Sequence, residues 1–147
     1  MRIKFVIFLF CLMLPSLMLA NGDKDTIKGM VAEFIQAGDD QNGAMAGKVL
    51  HPTSTHHVPG KNFENGILVV STEQYVAMLD AKKIGGYPRQ TDIKSIDLGK
   101  WNRSAMVTLE LDSDKMKFHQ FIGFAKVNDE WKIVSVLTAA TPVKQNG

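Results

Sequence analysis

Apolar and polar residues alternate most clearly near the end of the chain, from Lys115 to Ala140. The residues that point to one face are Phe118, Gln120, Ile122 and Phe124, and those that point to the other are His119, Phe121, Gly123 and Ala125. This two-residue period is typical of a strand. Asn128 and Asp129 supply a tight turn, after which a second strand begins at Trp131. The pattern predicts a central hairpin that is covered on both faces for part of its length.

Apolar residues at helical spacing precede these strands. A helix is predicted from Asp23 to Ala37, with Asp23 or Asp25 as its cap. Gly38-Asp39-Asp40 would end it as a solvated helix terminus. A weaker helix is predicted from Asn42 to Leu50, where two glycines lower the helix propensity. Ser71 and Gln74 form a capping box for a third helix, Thr72 to Lys83.

Two further strands are predicted between the third helix and the hairpin. They run from Asp92 to Gly99 and from Ala105 to Leu111, and the second alternates cleanly. Helices that come first, followed by a meander of long strands, favour an α+β fold. We therefore expect the N-terminal helices to lie on one face of a strongly curved antiparallel sheet.

The first 22 residues have the composition of a secretory signal peptide. Arg2 and Lys4 precede an apolar run from Phe5 to Leu14, and small residues follow near Ala20. The run is too short for a transmembrane anchor, and cleavage is expected after Ala20 or Gly22. The remaining residues, 23–147, are predicted to form one domain that is periplasmic or secreted and has no membrane association.

Charge and cysteine content exclude several classes of function. The net charge of +2 equals the contribution of Arg2 and Lys4, so the mature domain is near neutral and has no basic stripe for nucleic acid. The only cysteine, Cys11, lies in the predicted signal peptide. The mature domain is therefore expected to have no disulfide, thiol nucleophile or cysteine metal site.

The order of these segments resembles a known superfamily. The segments that carry the resemblance are Ile27 to Asp39, Leu50-His51-Pro52, Ser71 to Tyr75, Ile93 to Leu98, Ala105 to Leu111, Phe118 to Val127 and Glu130 to Val134. Together they resemble the nuclear transport factor 2-like superfamily, and within it the putative lumazine-binding group. The resemblance implies a cone-shaped fold with a pocket at its wide end and a homodimer that packs through the sheet.

Candidate ligand-binding residues follow from this cone. They are His51, Tyr75, Tyr87, His119, Gln120 and Phe121. Related chains commonly carry an aspartate where this one has Gln120, and an amide cannot act as a carboxylate base. No catalytic residue or cofactor is therefore predicted. No metal site is predicted either, because His56 and His57 would point to opposite faces of a strand.

Three functions remain open at this point. The first is an exported binding protein that holds a small ring compound in the cone. The second is an isomerase-, dehydratase- or hydrolase-type enzyme that uses His51 together with a carboxylate. The third is a non-catalytic, dimeric interaction domain. An enclosed cavity without a carboxylate would favour binding, and a cone filled by its own side chains would favour the interaction domain.

Overall fold

A computed structural model describes residues 15–144, with side chains from residue 22. The predicted signal peptide lies largely outside these residues. The helices are α1 (Pro15–Asp39), α2 (Gly43–Val49) and α3 (Thr72–Asp80). The strands are β1 (Leu50–Pro59), β2 (Ile67–Ser71), β3 (Gln90–Leu98), β4 (Ser104–Asp112), β5 (Met116–Val127) and β6 (Glu130–Pro142), and a 3₁₀ turn at Lys100–Asn102 joins β3 to β4. No helix in the described part is long and apolar enough to cross a membrane.

The strands form one curved, open sheet in the order β2-β1-β6-β5-β4-β3. All neighbours are antiparallel except β1 and β6, which run parallel. The α+β prediction is confirmed, and the sheet is mixed. Residue alternation has the same period in parallel and antiparallel strands, so it carries no information on the direction in which β1 meets β6.

One predicted cap is present, the predicted cap at Asp23 is not, and Asn42 forms a cap that was not predicted. Ser71 and Gln74 form the reciprocal capping box at α3, with N···O distances of 3.0 and 3.2 Å. Asn42 caps α2 by accepting from the Met45 amide. Asp23 does not cap α1, which begins further upstream. Its carboxylate instead accepts hydrogen bonds from Trp131 (2.9 Å) and Lys126 (3.0 Å), and the bond from Trp131 is the main cause that lowers the pKa of Asp23.

The three helices pack against one face of the sheet, called here the inner face. The largest side chains buried at this contact include Ile27, Leu79, Leu109, Ile122 and Phe124. Alternation sends every second residue of β4 and β5 to this face, as predicted. Burial of each such side chain contributes roughly 1.5–3 kcal/mol, so this contact holds the cone together.

Candidate functional site

Three polar side chains lie buried on the inner face among apolar neighbours. Ser54, His56 and Gln120 are 0, 5 and 6% exposed. Ser54 Oγ, His56 Nε2 and Gln120 Oε1 form no hydrogen bond within residues 22–144. Buried polar atoms in folded proteins are nearly always paired, so three unpaired atoms on one face of the sheet call for an explanation. These residues are called here the inner polar residues.

Strand register explains why these side chains face inward. On β1, His56 lies opposite Val136 of β6, which is buried in the core. On β5, Gln120 lies opposite Leu109 of β4, which is also fully buried. Directly opposed residues share a face of the sheet, and Ser54 shares the face of His56 because the two are two positions apart. Position in the sheet therefore requires the burial of all three.

Among the inner polar residues, His56 is the one whose pKa is shifted by its surroundings. Its ring stacks on Tyr75, with centroids 4.1 Å apart and planes 11° from parallel, and it lies 5.9 Å from the Phe34 ring. Burial, together with the nearby charge of His57, lowers the pKa of His56 to about 4. The imidazole is consequently neutral at physiological pH, when one ring nitrogen can donate a hydrogen bond and the other can accept one.

Tyr75 completes a group of three aromatic rings. It projects from α3 and stacks on Phe34 at 5.8 Å as well as on His56. Burial raises the pKa of Tyr75 to about 12, so the phenol also stays neutral. The result is a stack of three aromatic rings, two of which carry polar groups that are neutral at physiological pH.

An ion pair lies near Tyr75 and joins α1 to the segment before β3. Arg89 Nε lies 2.5 Å from Asp39 Oδ1, and the Arg89 amide donates to Asp39 Oδ2 at 3.1 Å. The guanidinium also donates to the Ile35 carbonyl and lies 5.7 Å from the centre of the Phe118 ring. The prediction that Asp39 is part of a solvated helix end is therefore wrong, because both side chains are nearly 90% buried.

The opposite face of the sheet, called here the outer face, has a different character. Its exposed apolar residues include Ile67, Val69, Met106, Phe121 and Leu137. A groove of about 540 Å³ runs across it, lined by His57, Ile67, Met106, Phe121, Ser135, Val136 and Leu137. The outer face thus carries apolar side chains in contact with solvent.

The structure divides the predicted ligand-binding residues between the two faces. Tyr75 and Gln120 lie on the inner side of the sheet. His119 and Phe121 lie on the outer face, where their rings meet edge to face at 4.7 Å. The same alternation that places Gln120 inward must place its two neighbours outward. These four residues therefore cannot line one pocket.

The other two predicted residues lie apart from the inner polar residues. His51 begins β1, and its Nδ1 is 2.7 Å from Thr53 Oγ1. It forms no ion pair with a carboxylate of the described chain, so the arrangement that the enzyme hypothesis needs is not seen there. Tyr87 lies in the segment between α3 and β3, 6.0 Å from Lys115 Nζ. Both assignments stay predictions.

Sequence reasoning did not select Ser54, His56 or Arg89. The signal for the first two was the alternation in β1, which puts Ser54 and His56 on one face, but this short segment is polar, so its sequence does not show which of its faces is buried. For Arg89 there was no local signal, because its partner Asp39 is 50 residues away. Within residues 22–144, no group of three or more histidine, cysteine or acidic residues could hold a metal ion.

Comparison with known proteins shows the family of this chain. The family model described as putative lumazine-binding matches residues 22–137. This chain belongs to the putative lumazine-binding family. No curated protein sequence matches it. The family and its fold indicate a small-molecule-binding domain.

Solved structures similar to this family member share its fold at low sequence identity. An NTF2-like protein of unknown function from Shewanella baltica has a TM-score of 0.73 at 15% identity, covering 84% of this chain and 97% of its own. An NTF2-like protein of unknown function from Silicibacter pomeroyi has a TM-score of 0.67 at 16% identity, covering 84% of this chain and 98% of its own. A ketosteroid isomerase-like protein from Erwinia carotovora atroseptica has a TM-score of 0.66 at 10% identity, covering 85% of this chain and 99% of its own. These similarities show the nuclear transport factor 2-like fold.

Proposed function

We propose that this protein is an exported binding protein that holds a small ring compound against the inner polar residues. The observation that carries the proposal is the set of three unpaired polar atoms on Ser54, His56 and Gln120, each on a side chain at least 94% buried. A buried polar group without a partner destabilises a protein by about 1–3 kcal/mol. Such a cost is typical of functional sites, where a ligand supplies the missing partner.

The stack of aromatic rings gives the second reason for a ring compound. His56, Tyr75 and Phe34 stack on one another. Aromatic rings bury much surface and favour offset or edge contacts with another ring, while neutral polar tips set its orientation. Small-molecule sites are usually lined by apolar side chains with a few polar groups among them.

Native mass spectrometry of the protein purified from the periplasm or culture medium of its own cells tests this proposal. We expect a mature mass without the first 20 or 22 residues, and an added small mass that leaves on denaturation. The variant His56→Phe should lose the added mass, because it keeps an aromatic ring but removes the nitrogens. His57→Phe is the matched control, since His57 lines the outer groove. Equal retention in both variants would contradict the site.

We further propose a homodimer through the outer face, the partner that the family resemblance implies. Five exposed large apolar residues lie on this face, and single exposed apolar residues are normal whereas a contiguous group marks an interaction surface. A second copy presents the same apolar band. Light scattering after size exclusion should give twice the mature mass, and Phe121→Glu should give a monomer. The control Lys117→Glu, on an exposed lysine of the same strand, should leave the dimer intact.

A further inference from the structure

Trp101 is the most exposed large apolar side chain of the described residues. It is 83% exposed and lies in the connection between β3 and β4, residues 100–103, called here the Trp101 turn. The ring contacts the neighbouring Lys100, whose Nζ lies 5.7 Å from its centre. Tryptophan is highly buried on average in folded proteins, because its ring has a large apolar surface. The Trp101 ring therefore contributes little to the packing of this domain.

The backbone of the Trp101 turn is strained at the same residue. Trp101 has a φ of 62° and a ψ of 14°, and Asn102 follows with a φ of 51°. This left-handed region favours glycine and asparagine and is unfavourable for a bulky side chain. Strain of this kind is concentrated at sites of function. The chain thus holds a large apolar ring in solvent at a cost to its backbone, which indicates an interaction surface.

Two basic side chains flank the ring. Lys100 and Arg103 are both exposed, and neither forms an ion pair within residues 22–144. The mature domain is near neutral, and the adjacent β5–β6 turn carries Asp129, so the positive charge is local to the Trp101 turn. Tryptophan is enriched where a bilayer meets water, and lysine and arginine are attracted to anionic lipid headgroups. The pattern fits the surface of an anionic bilayer.

The Trp101 turn lies at the end of the domain where α1 begins. The Lys126 amide donates to the Arg103 carbonyl at 2.9 Å, and Lys126 Nζ donates to Asp23 Oδ1 at 3.0 Å. α1 starts at Pro15, and a helical rise of about 1.5 Å per residue puts Pro15 about 12 Å from Asp23. The apolar run of the predicted signal peptide, Phe5 to Leu14, ends directly before Pro15. During export this end of the domain is therefore the one closest to the membrane.

We propose that the Trp101 turn binds the mature domain to an anionic lipid surface. The Trp101 ring lies among the headgroups, and Lys100 and Arg103 contact lipid phosphates. This inference does not depend on ring binding at the inner polar residues. It gives the domain a membrane partner, in contrast to the sequence-based prediction of no membrane association.

Fluorescence with lipid vesicles tests this proposal on the full mature protein. The chain has two tryptophans, and the other one, Trp131, is 6% exposed and serves as an internal reference. Vesicles that contain phosphatidylglycerol should shift the emission of Trp101 to shorter wavelength, and brominated lipids should quench it. Sedimentation should show binding at least about tenfold weaker to vesicles of phosphatidylcholine alone, because these lack the anionic charge. High salt should weaken the binding to anionic vesicles.

Trp101→Gly separates a role in binding from a role in folding. Glycine adopts a positive φ without strain, so the variant should keep the stability of the native protein in urea. Its binding to anionic vesicles should fall about tenfold or more, because the ring is lost. A large loss of stability together with unchanged vesicle binding would overturn the proposal.

Charge reversal tests the two basic side chains. The double variant Lys100→Glu with Arg103→Glu should weaken binding to anionic vesicles at least about tenfold. Lys61→Glu with Lys83→Glu is the matched control, because it changes the net charge equally on exposed lysines that follow β1 and α3, away from the Trp101 turn. The control should bind nearly as well as the native protein. Equal losses in the two double variants would overturn the assignment to this turn.

The remaining outcomes also decide against lipid binding. No shift in emission and no sedimentation with anionic vesicles would overturn the proposal, as would equal binding to neutral vesicles. Trp101 emission that is already at short wavelength without lipid, and that moves to longer wavelength on dilution, would assign the Trp101 turn to a contact with a second copy of this chain. Each of these results leaves the proposed function unchanged, because that proposal is tested at His56.

Discussion

Gln120 and Phe121 are neighbours on β5, yet each lies on the face that normally suits the other. The amide is 6% exposed on the inner face, and the phenyl ring is 37% exposed on the outer face. A strand with one buried face usually has apolar residues inside and polar residues outside. At this point of β5 the usual arrangement is reversed.

The two faces therefore illustrate two ways in which a sheet keeps surface available for binding. The inner face leaves hydrogen-bonding atoms without partners among buried apolar side chains, which suits the polar groups of a small molecule. The outer face leaves apolar area in water, which suits another protein surface. Elsewhere on the same strands, Val107 and Ile122 follow the ordinary rule and are fully buried. The reversal is thus local to the two proposed binding surfaces.

Replacing one phenylalanine by alanine on each face should give the largest difference in stability between the faces. Phe124→Ala removes a ring that is 2% exposed on the inner face, and we expect the free energy of unfolding to fall by about 4 kcal/mol. Phe121→Ala removes an exposed ring and should cost less than about 1 kcal/mol at high dilution. Urea unfolding measures both, and similar losses would mean that the outer face is also part of the core.

Breaking an ion pair should also cost more stability on the inner side of the sheet than on the outer face, by a somewhat smaller margin. Asp39→Ala leaves the buried guanidinium of Arg89 without a counter-ion, and the expected loss of stability is about 3 kcal/mol. Glu110→Ala removes one partner of the exposed Lys94 on the outer face and should cost much less, because solvent screens this pair. Thermal unfolding at low and high salt measures both losses of stability. Salt should reduce only the loss at the exposed pair, because a buried pair is screened much less. A small loss for Asp39→Ala would refute the buried pair.

Acid should destabilise the protein through His56. Its pKa is about 4 in the folded state against 6.5 for a free imidazole, so between these values the unfolded chain binds more protons. Stability is therefore complete above pH 6.5 and falls as the pH drops toward 4, by about 3 kcal/mol in total, with no further loss from this group below pH 4.

Unfolding curves between pH 4 and pH 7.5 measure this dependence. His56→Phe should flatten it, because the variant has no group at this position to protonate. His119→Phe, on the outer face, is the control and should keep the slope that His56 produces. An unchanged slope in His56→Phe would show that other groups cause the acid sensitivity.

Much of the fold could be predicted from the sequence, and rather less of the site. The alternation in β4 and β5 and the capping box at Ser71 are local patterns, so they predicted the strands, their faces and the start of α3 correctly. The parallel meeting of β1 with β6 and the pairing of Asp39 with Arg89 join distant segments, which local patterns do not encode. His56 was overlooked for a similar reason, since its burial depends on Val136 and Tyr75 and not on its polar neighbours in sequence.

The smallest expected stability change tests whether Gln120 and Thr138, whose Oγ1 accepts a hydrogen bond from Gln120 Nε2 at 3.0 Å, support the fold or serve the proposed ligand binding. The double variant Gln120→Met with Thr138→Val replaces an incompletely paired polar group by apolar groups of similar shape. Such a replacement is nearly neutral or stabilising when no ligand is present. A residue pair kept for binding should therefore be dispensable for folding.

The most direct test is the free energy of unfolding of this double variant, measured by urea without ligand. Binding of the ring compound that we propose as the ligand is measured on the same variant. We expect the stability to equal that of the native protein or to exceed it by up to about 1 kcal/mol, with ring binding lost. A loss of more than about 2 kcal/mol with ring binding retained would contradict the central claim, because Gln120 and Thr138 would then serve the fold and not the ligand.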